Sequence, residues 1–100
     1  MKSKIIMVDI DQTICEYSGK TNIYKEAIPI KENIDKINKL YDENHKIIYW
    51  TSRGATTKIN HEKLTKLQLK KWGCKYHELR LDKPYYDLFI DDKTKRIEEI

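Results

Sequence analysis

Four short apolar runs predict the strands of a sheet. Ile5–Val8 is rich in β-branched residues and shows no alternation, which predicts a strand that is buried on both faces. Lys46–Trp50 has the same character, and residues 75–79 and 86–90 predict a third and a fourth strand. Each run is bounded by polar or turn-forming residues, so the chain indicates four separate strands.

Apolar residues at helical spacing predict two longer helices between these strands. The first covers residues 30–42, and the second, with a less regular apolar stripe, covers residues 61–72. Residues suited to the helix ends support both assignments: a proline for a first turn, an asparagine for an N-cap, and an asparagine and a glycine for C-terminal positions. In the same order, these are Pro29, Asn60, Asn44 and Gly73. Residues 15–27 predict a loop or small hairpin, and a short last helix is expected after Thr94.

The order of these elements predicts an α/β fold. Strands that alternate with helices favour a mostly parallel sheet in a three-layer, Rossmann-like sandwich. With 100 residues, the chain is expected to form a single domain, residues 1–100. A core of this size leaves little surplus stability, so metal binding or homo-oligomerisation is a candidate source of support.

Acidic and hydroxyl side chains follow the predicted strands directly. Asp9 and Asp11 end the first strand, Thr51 ends the second, and Asp91 and Asp92 end the fourth. Because ligands gather beyond the carboxyl ends of parallel strands, we expect these side chains to converge on one small pocket. Two cationic side chains are expected nearby, Lys83 and Arg53.

This set of side chains suits phosphoryl transfer. Carboxylate and carbonyl oxygens favour Mg²⁺, which keeps several waters and bridges to a substrate phosphate. Lysine supplies a point charge to a phosphoryl oxygen, and arginine can bind two such oxygens at once. A carboxylate can also act as the nucleophile and form an aspartyl-phosphate.

The overall charge does not by itself identify a partner. The net charge is +4, but the lysines are spread over the predicted helices among acidic residues, which favours a solvated face over a nucleic-acid surface. No apolar run reaches membrane-spanning length, and no signal peptide is evident, so no membrane partner is expected. Cys15 and Cys74 match neither a metal nor a redox spacing, which fits reduced thiols in a cytoplasmic protein.

The motifs of the chain resemble, in order, the four motifs of the haloacid dehalogenase (HAD) superfamily. The matching residues are Asp9-Ile10-Asp11-Gln12-Thr13, Thr51, Lys83 and Ile90-Asp91-Asp92. Residues 49–54 and 72–79, and residues 83–84 together with 91–93, are most similar to the short, cap-less phosphatases associated with capsular polysaccharide biosynthesis. This resemblance implies a minimal, cap-less HAD fold.

The resemblance also implies residue roles. Asp9 is the expected nucleophile, and Asp11 the acid and base, its protonated form favoured by neighbouring negative charge. Thr51 and Lys83 are expected to hold the phosphoryl group, with Arg53 as a further candidate. The implied Mg²⁺ ligands are Asp9, the carbonyl oxygen of Asp11, and Asp91 with support from Asp92. One departure is Gln12, which stands where the family commonly has glycine.

The leading functional hypothesis is a magnesium-dependent phosphomonoester hydrolase for a small phosphorylated metabolite, with a sugar phosphate as the first candidate. Residues 51–53, Thr-Ser-Arg, also resemble a polynucleotide phosphatase pattern, so a nucleotide or nucleic-acid end is an alternative substrate. A different kind of alternative is a retired HAD domain that binds a metal or a protein without turnover.

Overall fold

A three-stranded parallel sheet forms the centre of the computed structural model, which describes residues 2–19 and 23–100. Its strands are β1 (Ile5–Val8), β4 (Lys46–Trp50) and β5 (Glu78–Arg80), in the order β1-β4-β5. A small antiparallel pair, β2 (Cys15–Glu16) and β3 (Ile28–Pro29), lies between β1 and the first helix in the sequence. The chain is therefore an α/β protein with a parallel sheet.

The two predicted helices are present, and their C-terminal ends follow the expected chemistry. Helix α1 is Lys31–Asp42 and helix α2 is Glu62–Lys71. Asn44 and Gly73 follow them with φ angles of 71° and 72°, the left-handed conformation that ends a helix. The Asn60 side chain accepts a hydrogen bond from the Glu62 backbone N–H at 2.9 Å, but α2 begins one residue later than expected, so its N-terminal boundary residue is His61 and not Asn60. Neither these helices nor any other described helix has the length and apolar character needed to cross a membrane.

The main hydrophobic cluster lies on one face of the sheet, and Ile48 of β4 is buried on the other. Val8 of β1 and Tyr49 of β4 are register partners and are both buried. Side chains from both helices join them in one buried cluster, which includes Ile34, Ile37 and Leu69. Since side chains alternate along a strand, Ile5 and Met7 point to the other face of β1, where they are exposed, so the prediction that this strand is buried on both faces is wrong.

Several predicted elements differ from the structure. Residues 86–90, expected to be the fourth strand, form no strand and are exposed, because nothing in the described chain pairs with them. Pro29 lies in β3 and not in a helical first turn. The third strand is Glu78–Arg80 and so begins three residues later than expected. The last helix is a short 3-10 turn, Ile97–Glu99.

Candidate functional site

The ends of β1 and β4, together with the loop after β5, place three of the predicted residues at one edge of the sheet. Asp9 follows β1 and Thr51 follows β4, and these two strands are parallel neighbours in register. The loop after β5 crosses this edge, because the Lys83 backbone N–H donates to the Thr51 carbonyl oxygen at 3.3 Å. The predicted convergence of Asp9, Thr51 and Lys83 is therefore present.

Asp9 and Lys83 form a partly shielded ion pair. Lys83 Nζ lies 3.6 Å from Asp9 Oδ1, and the lysine side chain is 9% exposed against 38% for the aspartate. Nζ also lies over the rings of Trp50 and Tyr86, at 5.4 and 5.1 Å from their centroids. Burial raises the pKa of Asp9 above its usual value, although the charge of Lys83 opposes this shift. The accessible carboxylate of Asp9 is therefore flanked by one cation.

Asp11 is engaged by Arg53 in a two-point ion pair. Arg53 Nη2 donates to Asp11 Oδ1 at 2.8 Å and Nε donates to Oδ2 at 3.0 Å. The Tyr17 hydroxyl also donates to Oδ1. Burial raises the pKa of Asp11, but the hydrogen bonds and charge of Arg53 outweigh it, so the pKa is lowered overall. The expectation that neighbouring negative charge favours protonated Asp11 is wrong, since a cation governs this carboxylate.

Arg53 is a structural partner of Asp11 and is only 2% exposed. Its remaining nitrogen, Nη1, donates to Thr65 Oγ1 at 3.1 Å and to Gln68 Oε1 at 2.6 Å, both on α2. Its guanidinium carbon lies 4.7 Å from the centroid of the Tyr24 ring. The prediction that Arg53 binds phosphate therefore does not agree with the structure, because each of its nitrogens already donates within the protein.

Sequence reasoning missed several partners of this arginine and of Asp11. They come from different parts of the chain, and only their assembly around Arg53 gives them a role: Tyr17, Tyr24, Thr65 and Gln68. One available signal was the polar pair at positions 65 and 68, which interrupts the apolar stripe of α2 and is nevertheless buried. A buried polar pair on a helix needs a hydrogen-bonding partner.

Gln12 occupies a turn that favours glycine. Its φ angle is 65°, in the left-handed region, and its backbone N–H donates to the Cys15 carbonyl oxygen at 2.9 Å. A side chain at a left-handed position costs roughly 1–2 kcal/mol relative to glycine. The turn therefore accepts the glutamine side chain at an energetic cost.

Replacing Gln12 with glycine should raise the free energy of unfolding by about 0.5–1 kcal/mol, since the relieved backbone strain exceeds the extra freedom of the unfolded chain. Urea unfolding at fixed protein concentration measures this change. Asn44→Gly is the matched control, because asparagine tolerates the left-handed region, and a smaller gain is expected there. A loss of stability in Gln12→Gly would mean that the side chain contributes more than the backbone strain costs.

Asp91 and Asp92 are not brought to Asp9 within this chain. Both are exposed, and the bonds that involve them stay local: the Asp92 backbone N–H donates to Asp91 Oδ1, and Thr94 donates to the Asp91 carbonyl oxygen. Over residues 2–19 and 23–100, no three acidic, histidine or cysteine side chains come together as a metal site. Among these described residues, the Mg²⁺ ligands that the resemblance implies do not form one group in this structure.

A concave surface adjoins this edge of the sheet. It has a volume of about 240 Å³ and is lined by Arg53, Gly54, Lys58, Ile59, Asn60, His61 and Leu81. Asn60 and His61, in the segment that joins β4 to α2, both line this surface. The surface offers an amide, an imidazole and an ammonium group beside the candidate site.

Comparison with known proteins establishes the fold. No protein-family model and no curated protein sequence matches this chain. A crystal structure of a structural-genomics target from Vibrio cholerae is similar, with a TM-score of 0.84 and 23% sequence identity over 98% of this chain and 86% of that chain. At this level of identity, the similarity supports the α/β fold only, so the chemistry has to be argued from the residues of the site.

Proposed function

We propose that this protein is a phosphomonoester hydrolase of the cap-less HAD type, which acts on a small phosphorylated metabolite. The observation that carries the proposal is the Lys83–Asp9 pair at 3.6 Å, with Thr51 at the end of the neighbouring strand. A nucleophilic carboxylate, a cation and a hydroxyl at one strand edge suit the attack on a phosphate and the binding of its oxygens. We also propose that the α/β fold is a three-layer, Rossmann-like sandwich of the kind that this type of hydrolase has.

The chemistry proceeds in two steps in this proposal. A carboxylate oxygen of Asp9 attacks phosphorus, the bond to the ester oxygen breaks, and an alcohol leaves after it gains one proton. Water then attacks the aspartyl-phosphate, which returns the Asp9 carboxylate and releases inorganic phosphate. Lys83 and Thr51 hold the phosphoryl oxygens. The positive charge of Lys83 also reduces the repulsion between the negatively charged phosphate and the Asp9 carboxylate.

Asp11 is suited to the second step in particular. Its lowered pKa keeps it as a carboxylate, the form that can accept a proton from the attacking water, while the pairing with Arg53 makes it a weaker base than a free carboxylate. Donation of a proton to the leaving group requires the opposite form, which Arg53 disfavours. Substrates whose alcohol leaves without a proton therefore depend least on Asp11 in the first step.

Asp11→Asn should slow steady-state phosphate release by about 100-fold or more, the usual worth of a general base. With an aryl phosphate, a burst of about one equivalent of phenol per site is expected, because the aspartyl-phosphate forms and then accumulates. Rapid-mixing absorbance measures the burst. A linear time course without a burst, at an unchanged steady rate, would contradict the role of Asp11 in hydrolysis of the intermediate.

The concave surface beside the site indicates the class of leaving group. Asn60 and His61 offer hydrogen-bonding groups, and the Lys58 side chain adds a positive charge. Such a surface suits a hydroxyl-rich group with a further negative charge better than an apolar one. A sugar phosphate is therefore the first candidate within the proposal.

Release of inorganic phosphate from a panel of sugar phosphates, nucleotides and DNA ends tests the proposal. We expect turnover of at least one small phosphate ester, lost on chelation and restored by Mg²⁺, the candidate cofactor. Preference for DNA ends, with a steep dependence on salt, would replace the metabolite by a nucleic acid. No turnover of any ester with Mg²⁺ present would favour a retired domain instead.

A further inference from the structure

The outer edge of β1 has no neighbour in the described residues. β1 pairs with β4 along one edge, and no other described strand joins it. Ile5 and Met7 on this strand are 71% and 42% exposed. An open edge with apolar side chains is a ready template for another strand, and natural proteins usually cover or blunt such edges.

A strand-like segment of the same chain is equally unpartnered. We call residues 85–92, Tyr-Tyr-Asp-Leu-Phe-Ile-Asp-Asp, the 85–92 segment. Leu88 and Ile90 are 74% and 86% exposed. Within the described chain, no backbone hydrogen bond joins this segment to the sheet. Apolar and aromatic residues of this kind favour a sheet position, where their backbone groups would also be paired.

In the structure, this segment does not lie beside its own β1 in the parallel direction with Asp91 level with Asp9. Such a strand would begin with Asp87 level with Ile5, about 13 Å from the Asp9 end of the sheet. Tyr86, the residue before it, lies at the Asp9 end, because its ring is 5.1 Å from Lys83 Nζ and that atom is 3.6 Å from Asp9. The segment therefore starts towards the end of the sheet at which such a strand would finish, and the structure does not place it in this register on its own β1.

We infer that two copies of this chain exchange their 85–92 segments, each segment pairing in parallel with β1 of the other copy. If the two copies lie antiparallel about a two-fold axis, the Asp9 end of one sheet adjoins the opposite end of the other. The segment then leaves its own site at Tyr86 and enters the neighbouring sheet at the level of Ile5, in the direction that β1 runs. Such a reciprocal exchange is a closed, symmetric arrangement.

Charge and area favour a second copy as the occupant. The 85–92 segment carries three acids and no base, whereas residues 2–8 carry two lysines and no acid. Asp87 of the partner subunit would lie near Lys4, where the two charges are complementary. The exposed apolar area of the two edges and two segments is on the order of 1,000 Å², which approaches the lower range of stable interfaces.

The exchange completes the candidate site, and this consequence rests on the proposed function. With Phe89 of the partner subunit level with Met7, Asp91 of the partner subunit is level with Asp9 at the same strand edge. Each site then contains the acids that one chain fails to bring together. If Asp91 and Asp92 come from a second copy, it is explained why a single chain in this structure does not bring them to Asp9.

Molecular mass and a designed disulfide test the exchange without any assay of activity. Light scattering should give twice the chain mass of 12.1 kDa, and a monomer would overturn the inference. Oxidised Met7→Cys/Phe89→Cys should migrate as a covalent dimer without reductant, since neighbouring strands meet the geometry of a disulfide. Met7→Cys/Leu88→Cys is the matched control, because residue 88 points to the opposite face of the strand. A disulfide within one chain, or no disulfide, would overturn the exchange.

Mixing two inactive variants tests the shared site. Asp9→Asn and Asp91→Asn are unfolded together and refolded, so that half of the dimers are mixed. In an exchanged mixed dimer, one site carries both substitutions and the other carries neither, so about a quarter of the wild-type activity should return. If the wild type is active but the refolded mixture of the two variants recovers no activity, the shared site is overturned. An inactive wild type that still forms the covalent dimer would refute the proposed function and leave the exchange standing.

Discussion

Asp9→Asn should lower the rate of phosphate release by about 1,000-fold or more, because the amide oxygen cannot replace the carboxylate as nucleophile. The asparagine has nearly the same shape as the aspartate and can still accept a hydrogen bond from Lys83, so the protein should remain folded. Phosphate release under saturating sugar phosphate and Mg²⁺ measures the rate, and circular dichroism checks the fold. The loss is expected in kcat, since the missing group acts on the reacting phosphorus.

Asp35→Asn is the matched control for this experiment. It makes the same chemical change on the outer surface of α1, where Asp35 forms an exposed pair with Lys31 at 3.2 Å. Its activity should equal that of the wild type, and its stability should change by less than about 1 kcal/mol. Activity in Asp9→Asn close to that of the control would mean that another group attacks the phosphate, and the proposed function would lose its central residue.

The sequence predicted the parts of the fold that local chemistry determines. Helix α1 is amphipathic and is followed by Asn44, and helix α2 is followed by Gly73, both in the left-handed conformation that their residue types indicate. Strands β1 and β4 were predicted with their observed bounds, because each is a short β-branched or aromatic run between polar residues. Their parallel pairing then brings Asp9 and Thr51 to one edge.

The features that were wrong depend on contacts between distant residues. Residues 86–90 have the composition of a strand, but composition does not say which sheet edge receives them. Arg53 was considered as a phosphate ligand because an arginine beside a site can bind two oxygens. Its pairing with Asp11 depends on α2, which brings Thr65 and Gln68 to the same guanidinium. No local pattern in the sequence contains that information.

Arg53→Met should lower the free energy of unfolding by about 3–5 kcal/mol, the usual cost of removing one partner of a buried ion pair. Methionine fills much of the same volume but leaves the Asp11 carboxylate, Thr65 and Gln68 without the guanidinium donors. Urea unfolding at fixed protein concentration measures the loss. Arg53→Lys should also be destabilising, because an ammonium group cannot reproduce the planar two-point contact with Asp11.

The exposed pair between Lys75 and Asp42 supplies the control and shows why burial decides the size of the effect. Its Nζ–Oδ1 distance is 2.9 Å, close to the 2.8 Å of the Arg53 pair, but both side chains are at least half exposed. Lys75→Met should therefore cost less than about 1 kcal/mol. A similar loss in both variants would show that burial does not strengthen the Arg53–Asp11 contact.

The stability that Arg53 contributes should also depend on pH, in a direction that follows from Asp11. The pKa of Asp11 in the folded protein lies below its ordinary value of 3.8, so the pair stabilises the fold above about pH 4 and is lost as the pH falls through the folded pKa. In Arg53→Met, burial without the cation raises the pKa of Asp11, and the variant gains protons at a higher pH than the wild type. The difference in unfolding free energy between the two proteins should therefore shrink as the pH is lowered from neutral. A constant difference down to pH 3 would place the effect of Arg53 in packing and not in its charge.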